Sequence, residues 1–235
     1  MCLTKISYYA VFNTEVKNLN IENRKGKKTR KKGINKATQK TEIELENSRK
    51  LFYSQIETLN DRGCPNQIIN MLKSESHLVF HTSEILSNKG NIAFIPVIPL
   101  SYRSHYDLIA MVNEKQGKSY LDDRVAIRDR FYTPKKPYYI FDVDNGQYNV
   151  YNMKKTIKIF KKQSRLPLTL AEILSLATHT NVLEHHFLNA AGSRYGMSNM
   201  PDIYLDIDSF PVLDHHNPHI SDVRWRTPSC GIRDI

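Results

Sequence analysis

Pro137-Tyr138-Tyr139-Ile140-Phe141-Asp142-Val143-Asp144-Asn145-Gly146 is the stretch whose reading decides the fold. Residues 137–143 are aromatic and β-branched over the length of one strand, and such side chains suit a pleated, half-buried surface. Asn145-Gly146 follows, a dipeptide that reaches the positive φ of a tight turn. Gln147-Tyr148-Asn149-Val150-Tyr151 then resumes alternation, so the reading is a β-hairpin joined by Asp144-Asn145-Gly146. Asp142 and Asp144 sit two apart and share a strand face. They do not make a calcium loop, which needs glycine sixth and glutamate twelfth. Counting from Asp142, glycine falls fifth and the twelfth residue is Met153.

Outward from the hairpin, the middle of the chain reads as strands. Asn91 to Pro99 is a continuous apolar run, expected as a central strand buried on both faces, with Pro96 and Pro99 at an end or bulge. His105–Asn113 and Leu78–Phe80 are further strand candidates, and Lys115–Lys118 is a turn. Asp122 to Lys136 is polar and reads as an exposed excursion. Upstream, Thr41 to Asn60 carries apolar residues at helical spacing, with Gly63 as a left-handed stop and Ile68–Leu72 as a second short helix. Cys64 reads as a packed corner residue. Downstream, Met153–Lys162 reads as a short amphipathic helix or a strand. Thr169 is an N-cap with Glu172 as its capping-box partner, opening a helix over residues 170–177. Val182–Asn189 is expected to be another helix and Ala190–Gly196 a glycine-bounded turn. Ile203, Leu205 and Ile207 alternate as a half-buried strand. The fold class is therefore α+β: a helical N-terminal part, a mostly antiparallel central sheet, a helical pair, then a C-terminal strand and an ordered tail.

The 235 residues, 40% hydrophobic and 25% charged, suit one domain with a real core. No apolar run approaches the ~18 residues of a membrane helix, and nothing at the N-terminus reads as a secretory signal. Three cysteines far apart read as reduced thiols in a cytoplasm. The net charge is +10, but nine basic residues and no acidic ones lie between Arg24 and Lys40, leaving +1 for the rest. The basicity is thus local. Residues 1–41 read as a disordered basic arm and 42–235 as the single domain. The simplest reading of Arg24–Lys40 is a solvated tail. Weak contact with nucleic acid or another polyanion is the alternative, since no aromatics interleave with the lysines.

The tail collects chemistry-bearing side chains: Asp214-His215-His216-Asn217-Pro218-His219, then Trp225, then Ser229-Cys230-Gly231. His179, His219 and Cys230 are the catalytic candidates, a possible base and a nucleophile. Ser193, Arg194, Asn217 and Ser229 are the ligand-binding candidates, expected to converge with them on one cleft for an unknown small molecule. Asp214, His215, His216 and His219 form the metal alternative, with zinc as the ion and His185 or His186 completing the set. Each also has a structural reading: His179 as a helix cap, Asn217 and His219 as turn residues, Cys230 as a small packed residue. A binding module is favoured, with a hydrolase or transferase as the alternative.

From about Leu51 to Arg233 the chain resembles a bacterial family known only as a domain of unknown function. The resemblance rests on ordered pieces: Gly63-Cys64-Pro65, Asp142-Val143-Asp144-Asn145-Gly146, Pro167-Leu168-Thr169 with Ala177-Thr178-His179, Gly192-Ser193-Arg194, Asn217-Pro218-His219 and Ser229-Cys230-Gly231. It implies one domain from about residue 42 and no activity. His215 and His216 stand where that family looks tryptophan-rich, whereas His219 matches it.

Overall fold

The structure, a computed structural model, describes residues 31–86, 91–146, 153–219 and 224–233. Residue contacts divide the chain into Met1–Ile43 and Glu44–Ile235, and the second unit holds every element below except the first part of helix α1. The fold is α+β, as the patterning predicts.

Helix α1 spans Lys31–Asp61. It starts ten residues before Thr41 and takes in residues 31–40 of the stretch expected to lack order, because lysine, glutamine and alanine are good helix formers even without an apolar stripe. Residues 1–30, including Arg24 to Arg30, lie outside the described residues. Phe52, Ile56 and Leu59 form its buried stripe. Gly63 at φ 74° stops it, with the Cys64 N–H donating to Leu59 O at 2.9 Å. Helices α2 (Asn66–Ser74) and α3 (Ser76–Ile85) follow.

Strand β1 (Ile92–Val97) pairs antiparallel with a strand at Tyr138–Val143, from Ile92 opposite Val143 to Val97 opposite Tyr138. The apolar run forms a strand as expected, but β1 is an edge strand and Tyr138–Val143 the central one, and Pro96 lies within β1 opposite Tyr139, which an edge strand tolerates. Phe94, Tyr139 and Phe141 are buried, and Tyr139 donates its hydroxyl to Leu72 O of α2 at 3.2 Å. Of the expected hairpin, the first strand and the turn are described. The turn forms: Asp144 Oδ1 accepts the Gly146 N–H at 2.8 Å, with Gly146 at φ 102°. The Tyr138–Val143 strand has β1 on one edge and Ile232–Arg233 on the other, and Asp144 bridges Ser229. Residues 147–151 lie outside the described residues.

Other elements depart from the patterning, among them Ser193–Tyr195, a strand inside the stretch expected to be a glycine-bounded turn, because its backbone pairs with Ile127–Asp129. Leu78–Phe80 lies within α3, with Val79 buried and Leu78 turned outward. His105–Asn113 is not a strand but opens with α4 (His105–Ile109). Ser104 caps it: its Oγ accepts the Asp107 N–H, and Asp107 Oδ2 accepts the Ser104 N–H, each at 3.2 Å. That serine-x-x-aspartate box outweighs the apolar run behind it. Val182–Asn189 is one 3-10 turn (Val182–Glu184) followed by a strand, because Phe187-Leu188-Asn189 pair across a sheet.

The remaining strands, in chain order, are β2 (Lys118–Ser119), β3 (Ile127–Asp129), β4 (Tyr138–Val143), β5 (Leu166–Pro167), β6 (Phe187–Asn189), β7 (Ser193–Tyr195), β8 (Met200–Leu205), β9 (Pro211–His216), β10 (Trp225–Arg226), β11 (Ser229–Cys230) and β12 (Ile232–Arg233). A five-stranded sheet runs β10-β6-β8-β9-β2, antiparallel through its middle and parallel at both edges. Leu188, Ile203 and Leu213 stand in register on its buried face. Helix α5 (Met153–Lys162) settles the helix-or-strand alternative there.

Helix α6 (Leu170–His179) touches both β1 and β8, and every residue from Leu170 to Ala177 is buried. A helix buried on every face belongs at the centre of a core. Its one buried charge, Glu172, is fully enclosed and fully bonded. It accepts from the Thr169 N–H at 2.7 Å, the Tyr138 hydroxyl at 2.9 Å, Arg233 Nε at 2.5 Å and Arg233 Nη2 at 2.9 Å. The capping glutamate read from the sequence is thus also the partner that locks the chain's C-terminal strand.

Candidate functional site

Strands β3 and β7 form a two-stranded ribbon in which Ile127 faces Tyr195, Arg128 faces Arg194 and Asp129 faces Ser193. Alternation sends these pairs to opposite faces. The inward face is anchored. Ser193 Oγ donates to Asp129 Oδ1 at 2.7 Å and accepts the Leu170 N–H at the start of α6 at 2.8 Å. The Tyr195 hydroxyl accepts the Asp122 N–H at 2.7 Å. Gly192 makes the approach possible, since a Cβ there would lie 2.6 Å from Pro167 O.

The outward face carries Arg128 and Arg194 side by side. Directly opposed like charges destabilise a strand pair, and among the described residues neither guanidinium has a carboxylate at ion-pair distance. Arg124 and Arg130 join them around a concavity of about 930 Å³, with Asp129 the acidic residue in its wall and Phe131 and Met197 its large apolar ones. Arg130 donates from Nε to Ser193 O at 3.3 Å, and its pKa is lowered by burial and then by Arg194. Arg124 is held by Asp122, with Nη2 to Oδ2 at 2.6 Å, and this hydrogen bonding lowers the Asp122 pKa. The arrangement lines one space with four arginines, a chemistry that suits phosphate or carboxylate oxygens.

The residues singled out from the sequence do not share a cleft. Ser193 touches the first residue of α6 and His179 is the last, so the two are separated by the helix length, roughly 14 Å. His179 lines a small apolar void with Leu59, Ile98 and Met111. Neither ring nitrogen has a partner, and burial drives its pKa down to about 3. It is neutral packing rather than a base or cap. Cys230 is fully buried, and burial raises its thiol pKa well above the ordinary range, the opposite of an activated nucleophile. Burial likewise pushes Cys64 up to about 11. Ser229 is enclosed and accepts from Arg165 Nε at 2.8 Å. His219 lies on the exposed turn after β9, its N–H donating to Asn217 Oδ1 at 3.0 Å. Only Arg194 reaches the concavity. Ser193 supports that wall from behind.

The metal alternative fails on strand geometry. Asp214, His215 and His216 lie on β9 rather than a loop, so His215 and His216 point to opposite faces. His215 stacks on Tyr195 with centroids 4.5 Å apart. His216 donates from Nδ1 to Asp202 Oδ2 at 2.5 Å and stacks on Trp225 at 3.6 Å. Burial raises the Asp202 pKa, with the His216 hydrogen bond opposing it. Among the described residues, no group of three or more His, Cys, Asp or Glu is placed to hold a metal ion. Nor is Asp142 available to calcium: it accepts from Arg165 Nη1 at 2.7 Å and Asn91 Nδ2 at 2.5 Å.

Sequence reading missed Arg124, Arg128 and Arg130, which sat inside the stretch set aside as a polar excursion. The available signal was local: Arg124, Arg128 and Arg130 with Phe131 and Tyr132 interleave charge and aromatics, which the lysine-rich arm does not. No family model, no curated protein and no solved structure matches this chain. No helix among the described residues is long and apolar enough to cross a membrane.

Proposed function

We propose that the domain is a binding module for a multiply anionic ligand, held by Arg124, Arg128, Arg130 and Arg194. The observation that carries this is the directly facing Arg128–Arg194 pair without a carboxylate, on the wall of an open concavity. A folded protein tolerates such a pair where a ligand supplies the missing negative charge. The hydrolase or transferase alternative loses its nucleophile with Cys230 enclosed and its base with both His179 ring nitrogens buried. Membership of the bacterial family and a cytoplasmic location belong to the same proposal. The Gly192-Ser193-Arg194 piece that carries the resemblance is the strand presenting Arg194.

Thermal unfolding with sodium tripolyphosphate tests the reading. At a hundredfold excess over the dissociation constant, ligand binding adds about 2.7 kcal/mol, a rise in Tm of roughly 5 to 10 °C for a chain this size. The R128Q/R194Q double variant is expected to lose that rise while melting no lower than the wild type without ligand. An equal rise in both proteins would refute the site.

A further inference from the structure

We infer that the anion recognised at this concavity is the backbone of single-stranded nucleic acid, with Tyr132 and Phe131 stacking on its unpaired bases. This rests on the anion-binding reading above and adds the ligand class. The phosphate contacts come from Arg124, Arg128, Arg130 and Arg194. What separates a nucleic acid from a small phosphate or a polyphosphate is the aromatic pair directly after Arg130. Tyr132 is 76% exposed and Phe131 38% exposed, and Phe131 also lines the concavity. Large aromatic side chains are costly to leave in water. Two in sequence, beside arginines, form the combination that tracks a strand: guanidinium groups follow the phosphates, and rings take the base faces. Only unpaired bases offer those faces, so a duplex gains the charge contacts without the stacking.

The ribbon also fixes spacing. Arg128 and Arg194 are cross-strand partners, so their Cα atoms lie about 5 Å apart. Their forks reach outward from one rigid base, because Asp129 and Ser193 on the reverse face are tied to α6. Lys135 and Lys136, both exposed, follow Tyr132 in the chain. The lysine-rich Arg24–Lys40 stretch has no such aromatics in its sequence, so it adds charge attraction without base contact.

The test uses the full chain and fluorescence anisotropy with a labelled twelve-nucleotide oligouridine, a duplex RNA of the same length, tripolyphosphate as competitor, and vesicles carrying phosphatidylserine. The expected result is single-strand binding stronger than duplex binding. Its salt slope should shrink by about 1.4 in R128Q/R194Q, from two phosphate contacts at about 0.7 each. Y132A should weaken oligouridine about tenfold and leave tripolyphosphate competition unchanged; Tyr132 is exposed enough that its loss should not unfold the domain. Unchanged oligouridine affinity in Y132A, with arginine-dependent tripolyphosphate binding intact, overturns the nucleic-acid class and keeps the anion site. Arginine-dependent vesicle binding without oligouridine binding overturns it in favour of a membrane surface. Oligouridine binding that ignores R128Q/R194Q overturns both readings and assigns the affinity to the Arg24–Lys40 segment.

Discussion

Arg233→Met isolates the interaction that fastens the end of the chain to the core. Glu172 is fully enclosed, and Arg233 supplies two of its four hydrogen bonds while donating a third bond from Nη2 to Pro167 O at 2.6 Å. Methionine keeps the volume and removes the charge. Glu172 would then keep only the Tyr138 hydroxyl and the Thr169 N–H, a carboxylate with no cation in a dry site. Breaking one half of a buried pair costs about 3 to 5 kcal/mol, which for a chain this size lowers Tm by on the order of 10 °C. The E172Q/R233M double variant should recover at least about 1 kcal/mol relative to R233M, because the neutral amide no longer needs a counter-charge. Urea unfolding of the four proteins, followed by circular dichroism, gives the cycle. A loss under about 1 kcal/mol in R233M, or a double variant as unstable as the sum of the singles, would refute the reasoning that Arg233 is there to compensate a buried charge.

Other outcomes follow from the same geometry. His179 in the fold titrates near 3, well below its unfolded value, so between about pH 6.5 and 3 the unfolded chain binds the extra proton and stability falls as pH falls; H179L should remove about 1.4 kcal/mol per pH unit of that slope and raise stability at neutral pH, and an unchanged slope would place His179 in water. Native alkylation should leave Cys64 and Cys230 unmodified until the chain unfolds; mass spectrometry showing rapid labelling of Cys230 at neutral pH would return the nucleophile to consideration. Ser193→Ala removes the acceptor for the Leu170 N–H and the donor to Asp129, and should cost about 1 to 2 kcal/mol, read by chemical denaturation; no loss would mean the ribbon is not anchored to α6.

Much of the fold was legible because it was written locally. Strands β1 and β4 announced themselves as apolar runs of strand length, and Thr169 with Glu172 marked the start of α6. The α4 box at Ser104 and Asp107 was equally local but was outvoted by the apolar residues after it, since a short apolar run fits helix and strand alike. The partners of β4 were hidden for another reason. Asn145-Gly146 does turn the chain, but β4 bonds to β1 and to β12, elements dozens of residues away, and no local turn signal reports who occupies a strand edge.

The sequence by itself determined that this is an α+β domain with a capped helix opening at Leu170, because periodicity and capping act over a few residues. Only the tertiary structure decided the chemistry. Burial turned His179 and Cys230 from a base and a nucleophile into packing, since the pKa of each follows from the solvent its neighbours exclude. Alternation on β9 separated His215 from His216. And the candidate site exists because β3 and β7, more than sixty residues apart in the chain, pair so that Arg128 meets Arg194. Two like charges brought together by backbone pairing leave no trace in either segment alone.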